Sequence, residues 1–374
     1  MPGSTTLRAS AGSDIPAQSE ESSAPSLFPT VPRHRDAGRQ APTPPESAAK
    51  LTGIARLAAS SAQADAKRGT EYFILPTRSI LNRCDSDRVP FTWTVNPYRG
   101  CEFGCHYCYA RYTHEYMDLD GRDFERKIFV KDAAASLAAS ELRSKPVRGE
   151  HIAIGTATDP YQPAEREFRA TRSILEKMSE MEGLSVSITT KSDQVVRDID
   201  VLQRIAAHSE ISVNLTVTTP RVRLARLLEP RAPRPDLRIA AIRTLREAGI
   251  RAGMFVSPIL PCLTDESNDL ELLARSAHDA GALWFAGNVL FLMPSSRKQF
   301  FPFIDERFPR LASRYHQWYE RAGYAPEQYR NEISGRVECL RTKYGMKSRP
   351  EPALRASQAG AKQLTISFAP PAEG

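Results

Sequence analysis

The sequence predicts an α/β protein built as a (β/α) barrel or part of one, followed by a C-terminal helical extension and bounded by disordered termini. Three observations predict it. Six short apolar or β-branched runs recur at residues 91–96, 151–155, 184–190, 211–218, 253–258 and 283–292. Longer segments of helical pattern lie between them, at 133–143, 165–181, 198–208, 235–248 and 266–280. Finally, 374 residues, 41% of them hydrophobic, suffice for a sizeable core.

Residues 1–68 are rich in Ala, Ser, Pro and Arg and almost free of aromatics. Such a segment buries too little apolar surface to offset its ordering entropy, so a disordered tail is expected. The run at 91–96 opens the barrel, which is expected over residues 69–292. Each of the six runs is short and apolar, as a parallel strand covered on both faces should be. The helical pattern is clear at 235–248, where Ile239, Ile242 and Leu245 mark one face and Arg238, Arg243 and Arg246 the other. Strand followed by helix, repeated, implies parallel strands and right-handed crossovers. Beyond the barrel, aromatic helical segments at 308–322 and 326–344 belong to an extension over 293–348 that covers one side or end of it. Residues 349–374 return to the composition of the first tail and are expected to be disordered.

Charged residues make up 25% of the chain and aromatics 8%, as in an average globular protein. No run approaches the roughly 18 apolar residues of a membrane span, and the start lacks the apolar segment of a signal peptide. A cytoplasmic protein without a membrane partner is expected. The net charge of +7 raises the odds of an anionic partner such as nucleic acid, although only 11 of the 51 basic residues are Lys. Residues 221–251 carry nine Arg against three acids, which reads either as a phosphate-tracking surface or as a solvated helix face. The interleaved aromatics of a base-stacking platform are missing there.

Three of the six cysteines fall within eight residues, Cys101-Glu-Phe-Gly-Cys105-His-Tyr-Cys108, directly after the first strand. That clustering argues for a metal rather than a secreted disulfide framework. The loop also lies at the C-terminal end of a barrel strand, where function gathers in such folds. Soft thiolates at this spacing suit iron–sulfur or zinc. A closed zinc site needs a fourth ligand, for which His114 is the better candidate and His106, adjacent to Cys105, the poorer one. A four-iron cluster on three cysteines would instead keep one iron open to a non-protein ligand.

The C-x3-C-x2-C spacing followed by Tyr109 resembles the signature of the radical S-adenosylmethionine enzymes, whose fold is a partial (β/α)6 barrel with this loop after its first strand. The resemblance implies a [4Fe-4S] cluster on Cys101, Cys105 and Cys108, with S-adenosyl-L-methionine chelating the open iron. It further implies a 5′-deoxyadenosyl radical that abstracts hydrogen from substrate, and a one-electron donor protein such as flavodoxin or ferredoxin. Several runs are similar to one branch of that family, grouped with spore photoproduct lyase and described as DNA repair photolyase-like. They are Asn96-Pro-Tyr-Arg-Gly-Cys101, Cys105-His-Tyr-Cys-Tyr109, Thr158-Asp-Pro-Tyr-Gln-Pro163, Thr190-Lys-Ser192, Arg197-Asp198 and Glu229-Pro-Arg-Ala-Pro233.

Carried over residue by residue, the likeness implies that Tyr109 lies near the adenosyl group and that Thr158 offers its hydroxyl to the cofactor, with Asp159 beside it. It implies that Lys191 pairs with the methionine carboxylate, and that Thr216, or Asn214 in its place, adds a further polar group. One position departs from the lyase pattern. Where the lyase has a cysteine that returns hydrogen to the product radical, this chain has Thr156. Cys262, just beyond the fifth strand, is the candidate substitute donor, and Cys84 a weaker one. Three functions follow: a lyase-like radical enzyme acting on a nucleic acid lesion or modified base, the same chemistry on a protein or small molecule, or a non-catalytic zinc or nucleic-acid-binding module.

Overall fold

The computed structural model describes residues 51–67, 69–85 and 89–350; the expected tails at 1–50 and 351–374 lie outside them. The described chain opens with α1 (Gly53–Ala59) and an antiparallel pair, β1 (Ala62–Lys67) and β2 (Thr70–Leu75). Residues 51–67 thus depart from the expected tail. Ala58 of α1 packs with Leu75, Met117 and Phe129, and this small apolar cluster orders a segment whose own composition would not.

Next, β3 (Leu81–Arg83) pairs antiparallel with β4 (Trp93–Val95). The short β5 (Tyr98–Arg99) and β6 (Lys127–Lys131), which flank α2 (Tyr112–Glu115), then leave the barrel and join the first pair in a sheet of order β1-β2-β6-β5. The barrel resumes with α3 (Ala134–Ser144) and β7 (His151–Ile154), then β8 (Ser185–Thr190), β9 (Glu210–Thr216), β10 (Arg251–Ile259) and β11 (Phe285–Val289). From β4 to β11 each neighbouring pair is parallel. The sheet order is β11-β10-β9-β8-β7-β4-β3, open rather than closed, with β11 and β3 at its two ends, so the barrel is partial and has six parallel strands.

Side-chain alternation gives the sheet two different faces. Ile152, Ile154, Val186, Ile188, Val213, Leu215 and Met254 pack outward into the main core with the surrounding helices. The alternate residues His151, Ser185, Ser187, Thr189, Ser212, Asn214 and Thr216 make a polar lumen, in which His151 bonds Ser185 and Ser187 at 2.9 and 2.8 Å. Gly253 of β10 is required by close approach, because a Cβ there would lie 2.4 Å from the Trp284 indole. Trp284 Nε1 in turn donates to Asn214 Oδ1 at 3.0 Å.

The helical pattern at 165–181 forms two helices, α4 (Glu165–Phe168) and α5 (Ala170–Met178), broken at Arg169 with φ of 50°. The cause is the buried Glu165 carboxylate, which accepts from the amides of Thr171 and Arg172 at 2.9 and 3.0 Å and so caps α5. Helices α6 (Ile199–Ala206), α7 (Val222–Leu228), α8 (Pro235–Glu247) and α9 (Ser267–Asp279) complete the outer layer. Three helices follow the barrel: α10 (Pro294–Arg307), α11 (Pro309–Tyr319) and α12 (Glu327–Lys343). Phe300 and Phe303 of α10 and Tyr315 and Tyr319 of α11 pack in one cluster with the cysteine loop, whereas Ile333 and Val337 of α12 join the barrel core. No helix among the described residues is long and apolar enough to cross a membrane.

Candidate active site

The cysteine loop leaves the barrel after β4 and is held at both ends. Gly100, with φ of +84°, makes the turn after β5; a Cβ there would lie 2.7 Å from the Lys127 carbonyl and 2.8 Å from that of Phe124. The Cys101 amide donates to Phe124 O at 2.9 Å and the His106 amide to Leu228 O at 3.1 Å. Arg111, fully buried, donates to the carbonyls of Cys105 (3.1 Å) and Gly121 (3.0 Å) and pairs with Glu125 at 2.7 Å. Ser296 of α10 donates to Cys108 O at 2.8 Å.

Cys101 and Cys105 are buried and Cys108 is partly so. Burial pushes all three thiols up; Asp159 adds to the effect at Cys101 and Glu229 at Cys105, while Lys191 and Arg238 oppose it at Cys105. Thiols in this setting ionise when a positive centre binds them. Among the described residues no three His, Cys, Asp or Glu side chains converge on a single metal ion. The donor set, three soft sulfurs in an apolar enclosure, fits an iron–sulfur cluster.

Neither candidate histidine supplies a fourth ligand. His114 Nε2 bonds the Lys127 carbonyl at 2.9 Å, with its ring edge-on to Phe124 and Phe129, and burial pushes its pKa down to about 4. His106 stacks on Phe303 with centroids 4.0 Å apart.

The Thr158-Asp-Pro-Tyr-Gln-Pro163 run follows β7 and acts as scaffolding. Thr158 Oγ1 donates to the Gly100 carbonyl at 2.6 Å and accepts from Gln162 Nε2 at 3.0 Å. Its hydroxyl therefore braces the cysteine loop. Gln162 also bonds Gly100 O and the Glu102 amide. Asp159 accepts from Tyr161 N (2.9 Å), Thr190 Oγ1 (2.6 Å) and Lys191 N (2.7 Å), tying the loop to the end of β8.

Lys191 follows β8 and is mostly buried; its Nζ lies 3.4 Å from Glu229 Oε1 and 5.8 Å from the centroid of the Tyr107 ring. Glu229 is fully enclosed and accepts from Thr218 Oγ1 (2.6 Å), Arg238 Nη2 (2.5 Å) and the Tyr107 hydroxyl. Burial alone would raise its pKa, but Arg238, Lys191 and these hydrogen bonds hold it at about 2. The helical pattern placed Arg238 on a solvent face, yet it is 1% exposed. At the start of α8 it turns inward to Glu229 and to Thr216 O (3.0 Å). Two cations around one carboxylate leave net positive charge beside Cys105. Glu229, Arg238 and Arg111 were not among the sequence candidates; the acid in the Glu229-Pro-Arg-Ala-Pro233 run was the available signal.

Tyr109 is 43% exposed and donates to the Thr156 carbonyl, while Thr156 Oγ1 accepts from Asn96 Nδ2 at 3.0 Å. Thr216 lies buried in β9 with its carbonyl on Arg238, and Asn214 bridges Thr189 and Trp284. Cys262 stands apart: its Sγ accepts from Arg314 of α11 at 2.6 Å, and among the described residues no hydrogen bond joins it to the cysteine loop. Most of the Arg-rich stretch is engaged internally. Arg221 pairs with Asp269, Arg234 with Asp236, Arg238 with Glu229, and Arg226, Arg231 and Arg246 bond groups of this chain.

A family model described as Radical SAM superfamily matches residues 95–273. An uncharacterized protein of Mycobacterium tuberculosis is 34% identical over 312 residues, covering 83% of this chain and 92% of that protein. One from Methanocaldococcus jannaschii is 35% identical over 173 residues, 46% of this chain and 62% of its own length. Among solved structures, a spore photoproduct lyase mutant with bound AdoMet and dinucleoside spore photoproduct matches with a TM-score of 0.56. That match covers 79% of this chain and 86% of the other at 14% identity, a likeness of fold.

Proposed function

The chain belongs to the radical SAM superfamily and is a radical SAM enzyme, and on that premise we propose that Cys101, Cys105 and Cys108 hold a [4Fe-4S] cluster used for hydrogen abstraction from a nucleic acid lesion or modified base. S-adenosylmethionine and an iron–sulfur cluster are the cofactors this family implies. When bound, they supply a 5′-deoxyadenosyl radical. The observation that carries the reading is the enclosure of three thiols on one braced loop at the barrel mouth, beside the net positive Lys191–Glu229–Arg238 group.

The chain's own residues orient and shield. Arg111, Thr158 and Gln162 hold the loop carbonyls, and Phe300, Phe303 and Tyr315 close it from water on the C-terminal side. Lys191 and Arg238 favour thiolates at the loop, and Lys191 is the cation suited to a small carboxylate at the mouth. Tyr109 presents a half-exposed ring beside Thr156. The nucleic acid substrate is supported by the net charge of +7 and by the fold likeness to a lyase whose structure contains a dinucleoside photoproduct. With Thr156 at the end of β7 and Cys262 engaged by Arg314, the proposal does not extend to the lyase's own hydrogen-return step.

The test is anaerobic reconstitution with iron and sulfide, addition of S-adenosylmethionine and dithionite, and chromatography for 5′-deoxyadenosine. Wild type should form it, and Cys105→Ala should lose both bound iron and product while keeping its far-ultraviolet circular dichroism. Full iron and full product in the variant would refute the cluster assignment.

A further inference from the structure

A cleft of about 180 Å³ opens beside the barrel mouth, where the β3–β4 edge, the second sheet and α2 meet; Asn96, Arg99, Tyr112, Tyr116 and Lys131 contribute to its lining. The two cations reach one face of the second sheet by register. Arg99 of β5 stands opposite Phe129 of β6, and Lys131 lies two residues further along β6, on the same face.

Lys131 is 6% exposed and Arg99 Nε is buried without a partner, and among the described residues neither forms an ion pair. The carboxylate nearest in charge, Glu141, accepts from the Ile80 and Leu81 amides and pairs with Lys145 at 3.3 Å. Burial, with the Arg99 charge adding to it and Glu141 opposing, pushes Lys131 down to about 7. A buried Lys131 beside a half-buried Arg99 is costly unless an anion joins them. Arg offers a planar fork and Lys a point charge, a combination that suits a phosphate group.

The rim adds a second chemistry. Tyr112 and Tyr116 meet edge to face at 5.3 Å, and Tyr116 is 65% exposed, leaving a ring face open to a planar base. The cleft also adjoins the mouth: Asn96 lines it and bonds Thr156, whose carbonyl holds Tyr109.

We propose that this cleft binds one nucleotide of a strand, with Arg99 and Lys131 gripping its phosphate and Tyr116 stacking on its base. The proposal deepens the nucleic acid reading above and rests on it only for the strand being substrate. Titration calorimetry on the full, reconstituted chain tests it with three probes: thymidylyl-thymidine, inorganic phosphate and thymidine.

Thymidylyl-thymidine should bind at one site and thymidine far more weakly. Lys131→Met should weaken both phosphate-bearing probes about tenfold or more, since hydrogen bonds between charged groups are the strong ones. Tyr116→Ala should weaken the dinucleotide but not inorganic phosphate. Dinucleotide affinity should fall from pH 6 to pH 8.5 as Lys131 loses its proton, because the phosphodiester keeps its charge throughout, and this slope should be absent in Lys131→Met. Circular dichroism and iron content should match wild type in both variants.

Equal affinity in wild type and Lys131→Met, or binding of inorganic phosphate without the dinucleotide, would overturn the proposal. Dinucleotide binding through Lys131 in a protein that forms no 5′-deoxyadenosine would support the cleft and refute the reaction proposed above.

Discussion

Glu229→Gln removes one negative charge from a site where nothing else changes shape. The carboxylate is fully enclosed and accepts from Thr218, Tyr107 and Arg238, with Lys191 3.4 Å away. Glutamine keeps the size and one acceptor oxygen but leaves the buried Arg238 and the adjacent Lys191 without their counter-charge. Glu229 is held at about 2 against an ordinary 4.5, and at 1.36 kcal/mol per unit this corresponds to about 3 kcal/mol of stability at pH 7. With an unfolding entropy of about 2.1 cal/mol/K per residue over roughly 300 ordered residues, that loss should lower Tm by about 5 °C.

The assay is thermal unfolding of the iron-free wild type and variant, followed by circular dichroism from pH 7 downward. Because the folded pKa lies below the unfolded one, the wild-type advantage is complete above about pH 4.5 and is lost as pH falls toward 2. The two melting curves should therefore converge in acid. Melting temperatures that coincide at pH 7, or a gap that does not narrow in acid, would refute the view that Glu229 is an ionised counter-charge.

Gly100→Ala should cost about 1–3 kcal/mol of backbone strain in addition to its clash with the Lys127 and Phe124 carbonyls, and should sharply reduce iron bound on reconstitution. Wild-type iron content measured colorimetrically would show that the turn tolerates a side chain. His114 is enclosed, bonded through Nε2, with Nδ1 buried and partnerless, so it folds neutral. Its pKa lies near 4 rather than 6.5, so stability should fall by up to about 3 kcal/mol as pH drops from 6.5 to 4, and His114→Gln should remove that slope. Parallel stability–pH profiles from urea unfolding would contradict this.

Local spacing carried much of this protein in legible form. The alternation of six apolar runs with helical patterns corresponds to β4, β7 to β11 and their helices, because buried parallel strands and amphipathic helices are written in periods of a few residues. The three-cysteine loop was equally plain, since its thiols lie within eight consecutive residues. The second sheet was not, because β5 has two residues, too few to show a period, and its partners come from distant segments.

Side-chain roles divided along the same line. Arg238 and an exposed helix arginine look alike in a helical pattern; its burial follows from the fold bringing Glu229 to the start of α8. His114 had the spacing of a ligand but turns to Lys127, and the brace from Thr158 to the Gly100 carbonyl spans 58 positions that no local pattern connects. Arg99 and Lys131, 32 positions apart, become neighbours through β5–β6 register. Residue type and spacing along the chain specify which donors a loop can offer. Which charges are desolvated, and against what, is set by contacts between segments far apart in sequence, and that desolvation determines whether a cation is solvated, paired or waiting for an anion.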